Sequence, residues 1–385
     1  MMNNKRNILT IAFVAITLLG FSITLSSYKT YQNKQKSMLK FMNDTYPELW
    51  AKVDSLDRIG QPKSALEIVD KIYEKATKEE NPTQIIKATF YMNRYNAMLE
   101  EDGLAKAINR MSEQVEKASF PVKPILQSML AEAYHGYFTN QQWKIRNRST
   151  TVNFDKTDIQ TWSEKDFVDK TIELYLASLS DERIKQVKLT DFSEILYYAD
   201  RDGIALRSTL YDFLAHRAVD YFANEQTYLT QPAYQFTIDK SEYFAEAEAF
   251  SKLKIETKDT ESLKHKAMLL YQDLIKMHLN DADKSALIDV DLKRLSFVYN
   301  NYNGVGKNNF YEATLQNMQK RYLDNPMSAE IAALIANLYI QDAPKFNHNI
   351  SDAKDYKWHF KTAHAIATDA IKNTQIQSVQ VSVKR

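Results

Sequence analysis

An all-α architecture is expected of this chain on three grounds. Seven glycines and eight prolines in 385 residues are about a third of average usage, too few for the many turns of a sandwich or barrel. Apolar residues make up 44% of the chain and aromatic residues 12%, which is enough to build a core and excludes disorder. After residue 46, apolar side chains recur mainly at i, i+3 and i+4, the period of an amphipathic helix. Fifty Lys and Arg against 49 Asp and Glu leave no overall basic field for a nucleic acid. Cysteine is absent, which excludes disulfides, thiolate metal sites, a cysteine nucleophile, a thioester and a lipid-anchoring cysteine.

Lys5 and Arg6 precede the uncharged apolar run Ile8 to Leu25. Residues 1–27 are therefore expected to be a signal peptide or a membrane anchor. Thr24-Leu25-Ser26 offers small residues for cleavage, and Lys29, Lys34, Lys36 and Lys40 follow the run, so lysines flank both sides and leave the choice open. A polar linker occupies residues 28–45.

Helical hairpins are expected over residues 46–140. Glu48 to Leu56 forms the first helix and stops near Gly60. Pro62 opens a second, with Ala65, Ile68, Val69, Ile72 and Tyr73 on one stripe, since proline is tolerated at the first helical position. Pro82 opens a third, carrying Ile85, Ile86, Ala88, Met92, Tyr95 and Leu99. Asp102-Gly103 breaks it, Leu104 to Val115 forms a fourth, and Pro121 to Pro124 precede a fifth that reaches Tyr137. The pairs Trp50/Ala65 and Ala107/Pro121 resemble tetratricopeptide hairpins without the full repeat signature. Hairpins of this kind bury their stripes by stacking, as in an α-solenoid.

Residues 141–280 are expected to be helical with irregular insertions. The stretch 141–162 mixes Thr, Val and Phe with polar residues and reads as a loop or short strands. Helices follow at Glu164 to Ser178 and Leu210 to Phe222, with 229–239 extended between them and the next. Leu263, Ala267, Leu270, Tyr271, Leu274 and His278 form the clearest helical stripe. Residues 281–375 are a closing set of helices: 285–299, Phe310 to Tyr322, Ala329 to Tyr339 and Trp358 to Lys372. Loops at Asn300 to Asn309 and Asp324-Asn325-Pro326 separate them, as does a polar connection from Gln341 to Tyr356. Residues 376–385 form a tail whose Ile376, Val379, Val381 and Val383 suit the start of a strand.

No candidate for chemistry survives its motif. Gly304-Val305-Gly306-Lys307 lacks the distal glycine and the following Ser or Thr of a phosphate loop, having Asn301 and Asn308 there. It reads as a turn. Asp281, Asp283, Ser285, Asp289 and Asp291 imitate a calcium loop, yet Ala286 and Leu292 hold the glycine and glutamate positions. Asp281 and Asp283 are instead expected to cap the helix near Ser285. His216 has Asp220 one turn on, His359 and His364 are five apart, and His278 falls on an apolar stripe as a hydrogen-bonded core residue. No serine lies in a Gly-x-Ser-x-Gly elbow. Trp143 with Lys144, Arg146 and Arg148 is a small basic-aromatic cluster, expected to pair with Asp155 and Asp158 in a structural network. Catalytic, cofactor-binding and metal-ligating residues are all expected to be absent, as are a nucleic-acid partner and a small-molecule substrate.

Several strings resemble the region near the N-terminus of large alpha-2-macroglobulin-like proteins of the Bacteroidetes type. They are Trp143 with Asn147-Arg148-Ser149, Phe154, Asp158-Ile159 and Thr161-Trp162; Thr209 to Ala218 followed by Gln231-Pro232-Ala233-Tyr234; and Leu287 to Leu295. The Trp50 to Ala65 hairpin fits the first helices of that family, and the resemblance spans roughly residues 46–375. It implies an exported protein, periplasmic or anchored in the cell envelope, related to protease-trapping macroglobulins. In that family a series of β-sandwich domains, a bait segment and often a Cys-x-Glu-Gln thioester follow the helical region. This chain has no cysteine and no such series, so trapping carries over to no residue here. The expected function is a non-catalytic helical scaffold or docking module, as a fragment or truncated form of such a protein. Its partner would be the macroglobulin domains or a protease complex, with the membrane reached through the N-terminal segment. The alternative is a freestanding tetratricopeptide-type interaction scaffold of the envelope. A glycan-binding helical protein of an uptake system would use similar helices, and the missing lipidation cysteine counts against it.

Overall fold

The computed structural model describes residues 44–146, 158–196, 201–224 and 232–373. Among them lie fourteen α-helices, several short 3-10 turns and no strand. Among the described residues, extended backbone pairs at two isolated bridges, Lys188 with Thr209 and Ile238 with Tyr302. The expected signal or anchor (1–27) and the tail (376–385) lie outside the described residues. Among those described, no helix is long and apolar enough to cross a membrane. The chain divides into two compact units between Glu113 and Gln114.

The first unit contains α1 (Tyr46–Arg58), α2 (Pro62–Lys78) and α3 (Pro82–Leu99), and reaches into α4 (Gly103–Lys117). Each start has a local cause. The Glu48 carboxylate accepts from the Thr45 backbone N–H at 2.8 Å, Pro62 and Pro82 open their helices, and Asn81 accepts from the Gln84 N–H at 3.1 Å. Gly60 closes α1 in the left-handed region at φ 69°. The core joins Leu49, Val53, Ala65, Val69, Ile72, Ala88 and Tyr95. Trp50 Nε1 donates to Gln84 at 2.7 Å, satisfying the one polar atom of a buried indole. A Cβ at Gly103 would stand 2.2 Å from the Ala97 carbonyl oxygen, so only glycine permits this turn between α3 and α4.

The second unit contains α5 (Val122–Arg146), α6 (Glu164–Ser178), α7 (Arg201–Leu206), α8 (Leu210–Asn224), α9 (Ala247–Ser251), α10 (Leu263–His278), α11 (Ser285–Asn301), α12 (Lys307–Arg321), α13 (Ser328–Asp342) and α14 (His359–Asn373). Helix α5 packs on α6, α8 on α10, α10 on α11, α12 on α13, and α13 on α14. An irregular stretch from residue 141 is corrected by α5, which stays helical through Arg146. Phe138 and Ile145 are buried and Arg146 bonds Gln142 at 2.9 Å, so packing outweighs composition. Beyond it, Trp162 stacks on Tyr134 at 5.2 Å, its ring 4° from parallel, and meets Phe167 at 5.2 Å. This aromatic contact, rather than a strand, anchors the segment that enters α6. The short α7 and α9 and the 3-10 turns, including Ala343–Lys345 and Ser351–Trp358 inside the expected polar connection, have no counterpart in the periodicity. Elements of one or two turns show no amphipathic period to detect.

Candidate functional site

Three polar networks lock the helices of the second unit. Thr209 and Asp212 form a capping box at the start of α8: Asp212 Oδ2 accepts from the Thr209 N–H at 3.0 Å and its hydroxyl at 2.9 Å. The other Asp212 oxygen meets His278 Nε2 at 2.9 Å, and His278 Nδ1 meets Asp281 at 2.7 Å. His278 is 3% exposed. With a carboxylate at each nitrogen, both must donate, which selects the imidazolium. Burial pushes the His278 pKa down, yet the hydrogen bonds to Asp212 and Asp281 outweigh it and the pKa is raised. The hydrogen-bonded core histidine expected on this stripe is thus present, but Asp281 serves the imidazole instead of capping α11. Asp283 alone caps it, accepting from the Ser285 N–H at 2.9 Å.

On α11, Arg294 is fully buried. Its Nε donates to Asp291 at 2.9 Å, its remaining nitrogens to the Tyr243 carbonyl at 2.7 Å and the Ala245 carbonyl at 2.9 Å, and its plane lies 4.5 Å from the Phe250 ring. The side chain clamps the end of the 3-10 turn Ser241–Phe244 and the following Ala245 onto α11. Burial raises the Asp291 carboxyl, with the Arg294 guanidinium opposing the rise.

The third network borders an open cleft of about 740 Å³ among α8, α10, α11 and α13. Helix α8 supplies Asp220, Phe222 and Ala223; α10 supplies Lys264 and Tyr271; α13 supplies Glu330 and Leu334. Helix α11 supplies a polar stripe of Asp289, Lys293, Ser296 and Asn300 over Leu292 and Phe297. Asp289 is neutralised by Lys293 at 2.9 Å and Arg207 at 3.5 Å. Burial, first among the causes, raises the carboxyls of Asp220 and Glu330 and the Tyr271 phenol. His216 is 5% exposed and its Nδ1 has no hydrogen-bond partner. Burial, then the positive charges of Lys293 and Arg207, pushes its pKa down to about 2. It is a neutral core residue.

No family model, curated protein or solved structure matches the chain.

The motifs singled out in the sequence do not converge on the cleft. Gly306 sits at φ 80° before α12 and Lys307 begins that helix, its ammonium 4.7 Å from the Tyr299 ring, so Gly304 to Lys307 is a turn. The acidic run disperses: Asp281 to His278, Asp283 to a cap, Asp289 to the cleft and Asp291 to Arg294. Among the described residues no group of His, Cys, Asp and Glu is arranged to hold a metal ion. Trp143 is 83% exposed. Arg146 pairs with Glu164 at 3.3 Å, and Asp158 caps the turn at Gln160, which corrects the expected pairing with Asp158. Arg148 and Asp155 lie outside the described residues. Lys264, Asn300, Glu330 and Arg294 carry no motif. Only the spacing of Asp291 and Arg294, one turn apart, signals a pair in sequence.

Proposed function

We propose that the chain is a non-catalytic docking scaffold, the helical region of an alpha-2-macroglobulin-like protein, exported by its N-terminal apolar run and working in the cell envelope. The observation that carries this reading is the open cleft among α8, α10, α11 and α13, four helices drawn from separated stretches of the chain, of which only α10 and α11 are joined directly by a short connection. Stacked helices of a tetratricopeptide-like solenoid present surfaces that hold partner polypeptides. The strings that resemble the macroglobulin family add support. Thr209 to Ala218 includes Asp212, which ties α8 to His278 of α10, and Leu287 to Leu295 includes Asp291 and Arg294, which fix the 243–245 segment on α11.

The test is an immunoblot of membrane and periplasmic fractions from the native cell, using antibody to residues 46–385. A band far above the 44.7 kDa of this chain is the expected result. A band at or slightly below that mass would overturn the macroglobulin assignment and favour a freestanding scaffold. A cytosolic band would overturn export.

A further inference from the structure

The cleft contains three polar groups that nothing else in the described chain uses. The Lys264 ammonium on α10 and the Glu330 carboxylate on α13 make no hydrogen bond or ion pair among the described residues, and the Asn300 amide on α11 makes no hydrogen bond there. They come from three different helices, so no single helix cap or charge run accounts for them. Lys264 and Glu330 have opposite signs yet do not pair with each other. The neighbouring charges are otherwise engaged, Asp289 with Lys293 and Arg207. The lining is mixed: the polar stripe of Asp289, Lys293 and Ser296 lies over the largely buried Tyr271 and Phe297.

We propose that this cleft binds an extended peptide segment carrying one acidic and one basic side chain. The acidic side chain meets Lys264, the basic one meets Glu330, and the Asn300 amide pairs with the N–H and C=O of the peptide backbone. A carboxamide has both the donors and the acceptor that an extended backbone requires. The volume of about 740 Å³ falls in the range of pockets that enclose most of a ligand of a few residues. A ligand of one charge sign would satisfy one of the two free groups and confront the other. A peptide with both satisfies both. This inference rests on the docking reading and names the chemistry of the partner.

The experiment uses the full-length chain in mild detergent and fluorescein-labelled nonapeptides of an Ala-Ser background. One set carries a Lys and a Glu separated by one to five residues. Control sets carry two Lys, two Glu or neither. Fluorescence anisotropy is expected to show the best Lys/Glu peptide binding about tenfold more tightly than any control. Lys264→Glu and Glu330→Lys each lower that affinity about tenfold. The double exchange restores it for the peptide with the reversed order of charges, and Asn300→Ala weakens every peptide alike. Circular dichroism confirms that each variant remains helical. Affinity that ignores peptide charge, single exchanges without effect, or folded protein that binds no peptide would each overturn the inference. Those outcomes leave the docking reading to the immunoblot, which decides it separately.

Discussion

Two buried histidines on neighbouring helices titrate in opposite senses. His278 has its pKa raised by two carboxylates, so it contributes stability that is full below its unfolded pKa and is lost as pH rises through the folded value. His216 has its pKa lowered to about 2. Its contribution is present above the unfolded value and is lost as pH falls, because only the unfolded chain takes up the proton. Each pH unit below about 6.5 costs on the order of 1 kcal/mol through His216. Urea unfolding across pH 5 to 8 is expected to show His216→Phe removing most of the acid loss. His278→Gln is expected to destabilise the chain most at the acid end of that range, with the difference from the parent shrinking as pH rises. A parallel pH profile for all three proteins would contradict both assignments. At Arg294 the expectation is larger. Arg294→Ala strips Asp291 and two backbone carbonyls of their partner inside the core, and stability should fall by about 3–5 kcal/mol. Arg294→Met, which keeps the volume, would lose less only if Asp291→Leu accompanies it. Chemical denaturation of the single and double variants decides this.

At the scale of the helices, starts were easier to read than ends or irregular contacts. Pro62 and Pro82 fix two helix starts because their rings suit the first turn, and Ser163 begins α6 through a capping box with Asp166, whose carboxylate accepts the Ser163 N–H at 3.0 Å. Such signals are local, so the sequence displays them directly. The last turns of α5 depend on Glu164 and the aromatic group around Trp162, which approach only after folding. The cleft was illegible for the same reason: Lys264, Asn300 and Glu330 are ordinary surface residues in sequence and become a group only through packing. Glycine offers a direct test of local against tertiary cause. Gly60 has φ 69° and open space on the side where a methyl group would point, whereas Gly103 meets the Ala97 backbone. Gly60→Ala is expected to cost about 1 kcal/mol, from backbone conformation alone. Gly103→Ala should cost about 2 kcal/mol or more, because the turn must open. Thermal unfolding of the two variants, compared side by side, would refute the steric account if Gly60→Ala proved the worse.

Across the whole molecule, composition already dictated the helical class, since so few glycines and prolines leave little material for turns. Far-UV circular dichroism of the purified chain is expected to be dominated by helix, and a mainly β spectrum would refute the fold. What composition could not convey is how distant segments are tied together. His278 reaches Asp212 across 66 positions, and Arg294 reaches Ala245 across 49. In a chain with no cysteine, these side chains join remote stretches as covalent staples would. The likeness ends in the denatured state. A disulfide persists there and restricts the loosened chain, whereas these links dissolve with the fold and act on the native form alone. Reducing agents therefore leave the protein's stability untouched, and it can fold equally well on either side of a membrane whose two faces differ in redox potential.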